Sequence, residues 1–288
     1  MLFLMLAIAQ AAAERTGTFQ SARVLESSGV AASRTHAGIL WTHNDSGDGP
    51  YLYATDSSGR DLGFLRLSGA DAVDWEDIAL GPCPTPRAAG DCLFVGDVGD
   101  NLERRPWVTI YAVPEPAPPT GPGDTLGVTA AAAALRVHYP TGPQDVESLF
   151  IAPGDGALYL VSKGRSGPIR LYRVPGARWR AGEATAELVQ HVPFPQGRPA
   201  GATRWITGGA IRPDGRVVAL RTEDEIYLFT VAPGGGELTA AAQPCRVAGL
   251  EYQGEAVDFY DGTRLVLTSE AGRRGPGPIH LVRCALTN

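Results

Sequence analysis

The sequence has almost no lysine: of its 25 basic residues one, Lys163, is not arginine. It has no basic run and no basic stripe interleaved with aromatics, and its formal net charge is −6. Nucleic acid is therefore not an expected partner. Beyond the first 13 residues no apolar run is long enough for a membrane-spanning helix, and no membrane partner is expected. G-x-S-x-G, H-E-x-x-H, P-loop and dinucleotide fingerprints are all missing, which removes the most recognisable serine-hydrolase, zinc-protease and phosphate-cradle chemistries. No C-x-x-C pair offers a thiolate metal site. Helical periodicity is nearly absent.

What is present begins with an apolar stretch. Residues 1–13, MLFLMLAIAQAAA, end in small residues and read as a secretory signal with cleavage near Ala11–Ala13, followed by one domain over 14–288. A secreted or periplasmic monomer is expected. Behind an export signal, four cysteines favour disulfides. Cys83 and Cys92 bracket a short Pro/Gly-containing insert and are paired here, leaving Cys245 for Cys284, although four cysteines allow three connectivities.

The 44% apolar content supports a sizeable core, while 36 glycines and 23 prolines call for many short elements. Alternating runs such as "YLYATD", "ALYLVSK", "IYLFTV" and "RLVLTSE" read as strands, and they recur as a unit. Each unit opens on a strand at Ser28, Glu76, Glu147, Gly208 or Glu255, spaced 48, 71, 61 and 47 residues apart. Four antiparallel strands per unit predict an all-β, five-bladed β-propeller. The last unit has only three strands, and the N-terminal segment "TFQSARVL" (18–25) is expected to close it. Six blades would need one hidden in inserts too rich in Pro and Gly to supply it.

In a propeller the opening strands line the channel. Ser28, Glu76, Glu147 and Glu255 would converge there, with Gly208 and the neighbouring Thr207 hydroxyl completing the ring. Converging carboxylates either gain protons or hold a cation, and an oxygen-only set selects a hard one, calcium. The plainer alternative is glutamates capping backbone groups at blade starts. The second strands end at the same mouth, placing Asn44, Asp97, Lys163, Arg221 and Glu270 around it, with Asp45, Asp100 and Asn101 in the loops beyond. A compact ammonium fits between carboxylates where a guanidinium does not. That gives Lys163 either a functional role or a structural ion pair with Glu147 or Glu270. His43 is the only histidine placed near this mouth, and Trp75 is expected to brace the channel strand.

The motifs "HNDSG", "DWEDIA", "VGDVGDN" followed by Arg105, "DVESLF", "YLVSKG", "ITGGAIRPDG" and "GEAVDF" resemble a family of secreted bacterial β-propeller proteins of largely unassigned function. More distantly, the opener set is similar to the central calcium ring of five-bladed calcium-dependent apyrases. That likeness implies calcium at Ser28, Glu76, Glu147 and Glu255, and departs from it at Gly208 and in the long inserts. Calcium-dependent phytases and sugar-lactone hydrolases of propeller fold are comparably distant. The expectation is a calcium-dependent hydrolase of a small anionic ester, a phosphoester or nucleotide. Asp97 or Glu270 would act as base, Lys163 and Arg221 would neutralise charge, and Asn44, Asp45, Asp100, Asn101 and Arg105 would bind substrate. The alternative is a non-catalytic ligand- or protein-binding propeller.

Overall fold

The computed structural model describes residues 12–84, 90–122, 127–194, 205–232, 236–241, 243–273 and 275–285. The expected signal segment lies outside these residues except for Ala12 and Ala13. Five sheets, antiparallel but for an added edge strand in each of the first two, make the five blades. Their inner strands are Ser27–Ala32, Trp75–Pro82, Val146–Ile151, Gly208–Ile211 and Gly254–Phe259. Each packs against the inner strands of both neighbours, which closes the ring. The only helical element among the described residues is a 3-10 turn, Gly176–Ala181, and none of their helices is long and apolar enough to cross a membrane.

Alternation explains the packing. Both faces of a blade lie against another blade, so apolar side chains leave each strand in both directions. Five buried clusters result, one in each gap between blades; Phe94, Leu149 and Tyr172 anchor that between blades 2 and 3, and Phe150, Ile211 and Phe229 that between blades 3 and 4.

An N-terminal strand does close the last blade, but it is Ala12–Thr18, not residues 18–25. It pairs antiparallel with Pro278–Arg283, Ala12 opposite Arg283 and Thr18 opposite Pro278. Phe19 and Val24 are buried beyond it, anchoring the turn into blade 1. The inserts add edge strands instead of a blade. Gly127–Ala131 runs parallel to the outer strand of blade 1, and Glu183–Thr185 runs parallel to that of blade 2. Each covers the open edge of the preceding blade, where unpaired N–H and C=O groups would otherwise face solvent. Both disulfides form as paired from the sequence. Cys83–Cys92 ties the first two strands of blade 2, and Cys245–Cys284 joins blade 4 to the end of blade 5.

The feature that builds the mouth is a β-bulge. Register shifts by one residue between Ser27 and Gly29, Trp75 and Asp77, Val146 and Ser148, and Gly254 and Ala256. The extra residues are Ser28, Glu76, Glu147 and Glu255, and a bulge re-aims the side chain that it inserts. In blade 4 Gly209 pairs with Leu220, while Gly208 faces Arg221 and the Thr207 N–H also reaches the Arg221 carbonyl. Gly208 therefore stands at the place of the inserted residue with no side chain to aim, and the ring has four members. A Cβ at Gly208 would lie 2.3 Å from the Glu255 carbonyl oxygen, so glycine lets blades 4 and 5 approach here.

Candidate functional site at the channel mouth

A second regularity surrounds the bulges. The residue after each second strand donates its N–H to the carbonyl two residues before the bulge: Asp45 to Glu26, Val98 to Asp74, Lys163 to Asp145, and Glu270 to Gln253. All of them but Val98, which is buried in the core between blades 2 and 3, line the mouth. The sequence places Asp45, Lys163 and Glu270 there correctly but misses Asp74, Asp145 and Gln253. Their signal was readable as a recurrent D-x-E or Q-x-E: "DWE", "DVE", "QGE".

Asn44 and Asp97 sit one residue earlier, and that one-residue difference sends their side chains away from the mouth. The Asn44 side-chain oxygen accepts the Leu25 and Glu26 N–H groups at 3.0 Å. Asp97, fully buried, accepts from the Val73 and Asp74 N–H groups and pairs with Arg105 at 2.8 Å. Both hold the loop that enters an inner strand. Arg221 is also displaced from its expected place. It is 0% exposed, and it bonds Glu251 at 2.7 Å, the Ala256 carbonyl at 2.8 Å and the Thr222 carbonyl. Like Asn44 and Asp97 it is the last ladder residue of its strand, and it clamps blade 4 to blade 5. Thr207 donates its hydroxyl to the Gly254 carbonyl in the same seam. His43 is fully buried against the edge of Trp75, and burial lowers it to about 4, so it is neutral. Trp75 thus braces the first two blades beneath the mouth.

At the mouth, carboxylates crowd together. Oxygens of Asp45, Asp74 and Glu76 lie within 4.8 Å of one another, as do those of Glu76, Asp145 and Glu147. Glu76 is shared, and Ser28 donates its hydroxyl to the Glu76 carbonyl at 2.9 Å. Glu255 belongs to neither triad, though its charge acts on Glu147. Gln253 donates to it at 2.8 Å and to Glu270 at 2.7 Å, bridging the two acids. Gly99 lies directly over the first triad. A Cβ there would come within 2.2 Å of Glu76 and 2.5 Å of Asp74, so backbone closes the pocket where a side chain would fill it. Asp100, Asn101 and Arg105 position that loop. Asp100 accepts from the Arg105 N–H and donates its own N–H to Asp145, Arg105 donates to the Gly99 carbonyl, and Asn101 accepts from Arg165.

Lys163 answers part of this negative charge. Its ammonium bonds Glu147 at 2.5 Å, and its side chain is 15% exposed. Burial works against its charge, but Glu147, Asp145 and Glu76 outweigh that and hold its pKa above the ordinary value. Arg165 pairs with Asp145 at 2.8 Å. The two cations do not suffice. Burial, then Glu147, Asp45 and Asp74, push Glu76 well up. Burial lifts Glu147 to about 8 in spite of Lys163, Glu255 and Glu270 to about 7, and Asp74 to about 6. These groups would regain their charge if a cation joined them. Oxygen-only donors, shared carboxylates and a closed backbone wall fit a hard divalent ion such as calcium.

No family model matches the chain, and no curated protein matches it in sequence. Among solved structures it is similar to the PQQ-bound aldose sugar dehydrogenase of Streptomyces coelicolor, at 14% identity and a TM-score of 0.51 over 96% of this chain and 98% of that one. It is also similar to a gluconolactonase from Xanthomonas campestris, at 15% identity and a TM-score of 0.46 over 96% and 90% of the two chains. At such identities the likeness is one of fold, and the chain is by its own five sheets a five-bladed β-propeller.

Proposed function

We propose that the chain is a calcium-dependent hydrolase of small anionic esters, acting at the bulged end of the channel. The observation that carries this reading is the pair of carboxylate triads sharing Glu76 beside the Lys163 ammonium. Asp45, Asp74, Glu76, Asp145 and Glu147 are the residues that would hold the ion. The ion would act as a Lewis acid towards the ester's anionic oxygens. Lys163 would stabilise negative charge as it develops at the reacting centre. Glu270 is half-buried, with a pKa of about 7, and can accept a proton from the attacking water. Gln253 orients it, and the departing alcohol leaves with a proton returned from the site. Asp97 and Arg221, engaged elsewhere, have no part in this scheme. Two disulfides suit an oxidising compartment, and we place the protein outside the cytoplasm as a monomer without nucleic-acid or membrane partners.

The test is a panel of phosphomonoesters, nucleotides and sugar lactones assayed with calcium and with chelator. Turnover that chelator abolishes and Glu270→Gln lowers at least tenfold is the expected result. Tight calcium binding without turnover of any of them would leave a binding module instead.

A further inference from the structure

Three of the five tryptophans, Trp41, Trp75 and Trp179, are buried, and two remain exposed. Trp107, 43% exposed, lies on the outer part of blade 2 with Arg136 and His138 against it. Trp205, 41% exposed, stands at the channel mouth. Its ring centroid is 5.7 Å from the Lys163 ammonium and 4.7 Å from the Arg165 guanidinium. Those cations are the ones bonded to Glu147 and Asp145, so the indole borders the second carboxylate triad.

The backbone that follows the indole is tied down. Ile206, the next residue, is fully buried and donates its N–H to the Lys163 carbonyl at 3.1 Å. Thr207 is tied by its N–H to the Arg221 carbonyl and by its hydroxyl to the Gly254 carbonyl. A large apolar ring left in water forgoes the gain of burial. Its π-surface, placed beside charged groups in a concave mouth, is suited to a flat ligand that needs one apolar contact and one ionic contact.

We propose that Trp205 is the platform on which the non-reacting part of the substrate stacks, and that this site takes esters carrying a planar aromatic or heteroaromatic group. The inference rests on the hydrolase reading for the word substrate, and on the geometry alone for the stacking. The anionic ester end would point towards Lys163 and the acid cluster, with the flat end on the indole. A ring stacked on an aromatic side chain commonly contributes enough to change binding by tenfold or more.

Two esters separate the flat group from the reacting one: 4-nitrophenyl phosphate and glycerol 2-phosphate, assayed with calcium on the full chain. In Trp205→Ala the ratio of their kcat/KM values should fall about tenfold or more. Trp205→Phe keeps a flat ring and should retain most of that ratio. A ratio that is the same in all three proteins overturns the proposal. So does an equal loss on both esters, which would mean that the indole only positions Lys163. Phenylphosphonate, which has no ester to hydrolyse, gives a readout free of turnover. Its binding should change tryptophan emission in the wild type and not in Trp205→Phe. If the wild type hydrolyses neither ester, the hydrolase reading fails, and phenylphosphonate decides the stacking by itself: a Trp205-dependent emission change sustains it, and none refutes it.

Discussion

Blades 3 and 4 share one apolar core, and their strands alternate alike, but they meet the channel differently. Blade 3 inserts Glu147 as a bulge, and the carboxylate turns towards the axis, where Lys163 meets it. Blade 4 carries a glycine, Gly208, at the corresponding place, and its basic residue, Arg221, ends the ladder one position before the counterpart of Lys163, so it is swallowed by the seam with blade 5. One position along a second strand thus decides whether a charge serves the mouth or the packing. The reason is the two-residue period of a strand, in which neighbouring side chains take opposite faces.

The most forceful way to break this comparison is to remove each cation. Lys163→Met and Arg221→Met each strand a buried carboxylate, and each should lose about 3–5 kcal/mol of stability in urea unfolding. They should differ in what calcium restores. Calcium should recover part of the Lys163→Met loss, because a cation can replace the ammonium among Glu76, Asp145 and Glu147. It should recover none of the Arg221→Met loss. Equal recovery in both would erase the functional distinction between the blades.

Calcium removal comes next in size. Calcium at a hundredfold excess over its dissociation constant should stabilise the wild type by about 2.7 kcal/mol, read as a rise in Tm. Glu76→Gln should abolish most of that rise, being common to both triads. Gly99→Ala should do likewise by intruding on Glu76 and Asp74. An unchanged Tm between calcium-loaded and rigorously stripped protein would refute the ion site.

The pH dependence follows from the acids. Asp74, Glu255, Glu270 and Glu147 have folded pKa values raised to about 6, 7, 7 and 8. A group whose pKa is raised by folding binds its proton more tightly in the native state. The stability it lends is complete below its unfolded pKa and disappears as pH climbs through the folded one. Calcium-free protein should therefore lose several kcal/mol of stability between about pH 5 and 8.5. Calcium should reverse the trend, because it binds the ionised carboxylates and competes with protons. Thermal melts across that range, with and without calcium, provide the check; calcium-free stability that rises with pH would contradict it.

The smallest effect belongs to blade 4. Thr207→Val removes one buried hydroxyl-to-carbonyl bond and should cost about 1 kcal/mol. The calcium response should be unaltered, as expected of a residue in the seam and not in the ring.

Much of the mouth was legible as sequence. The openers Ser28, Glu76, Glu147 and Glu255 fall at the bulges because a repeated local pattern folds into a repeated local structure. Asp45, Lys163 and Glu270 follow for the same reason. Asn44, Asp97 and Arg221 were misplaced because the strand's last ladder pair cannot be told from the residue beyond it without its partner strand. The closing strand lies several residues earlier than the sequence suggests, since Ala12–Thr18 begins inside the apolar N-terminal run and carries no turn signal to mark its start.

The sequence by itself determined the all-β class, the five units and the carboxylates that approach the axis. Each of these is written in neighbouring residues: alternation, turn chemistry and a recurring acidic opener. Tertiary structure alone decided the burial of Arg221 and the edge strands borrowed by blades 1 and 2. It also decided the gathering of Asp74 with Asp45 and Glu76, and of Asp145 and Trp205 beside Lys163. These depend on the register between strands and the closure of the ring, which join residues far apart in the chain and leave no local pattern to read.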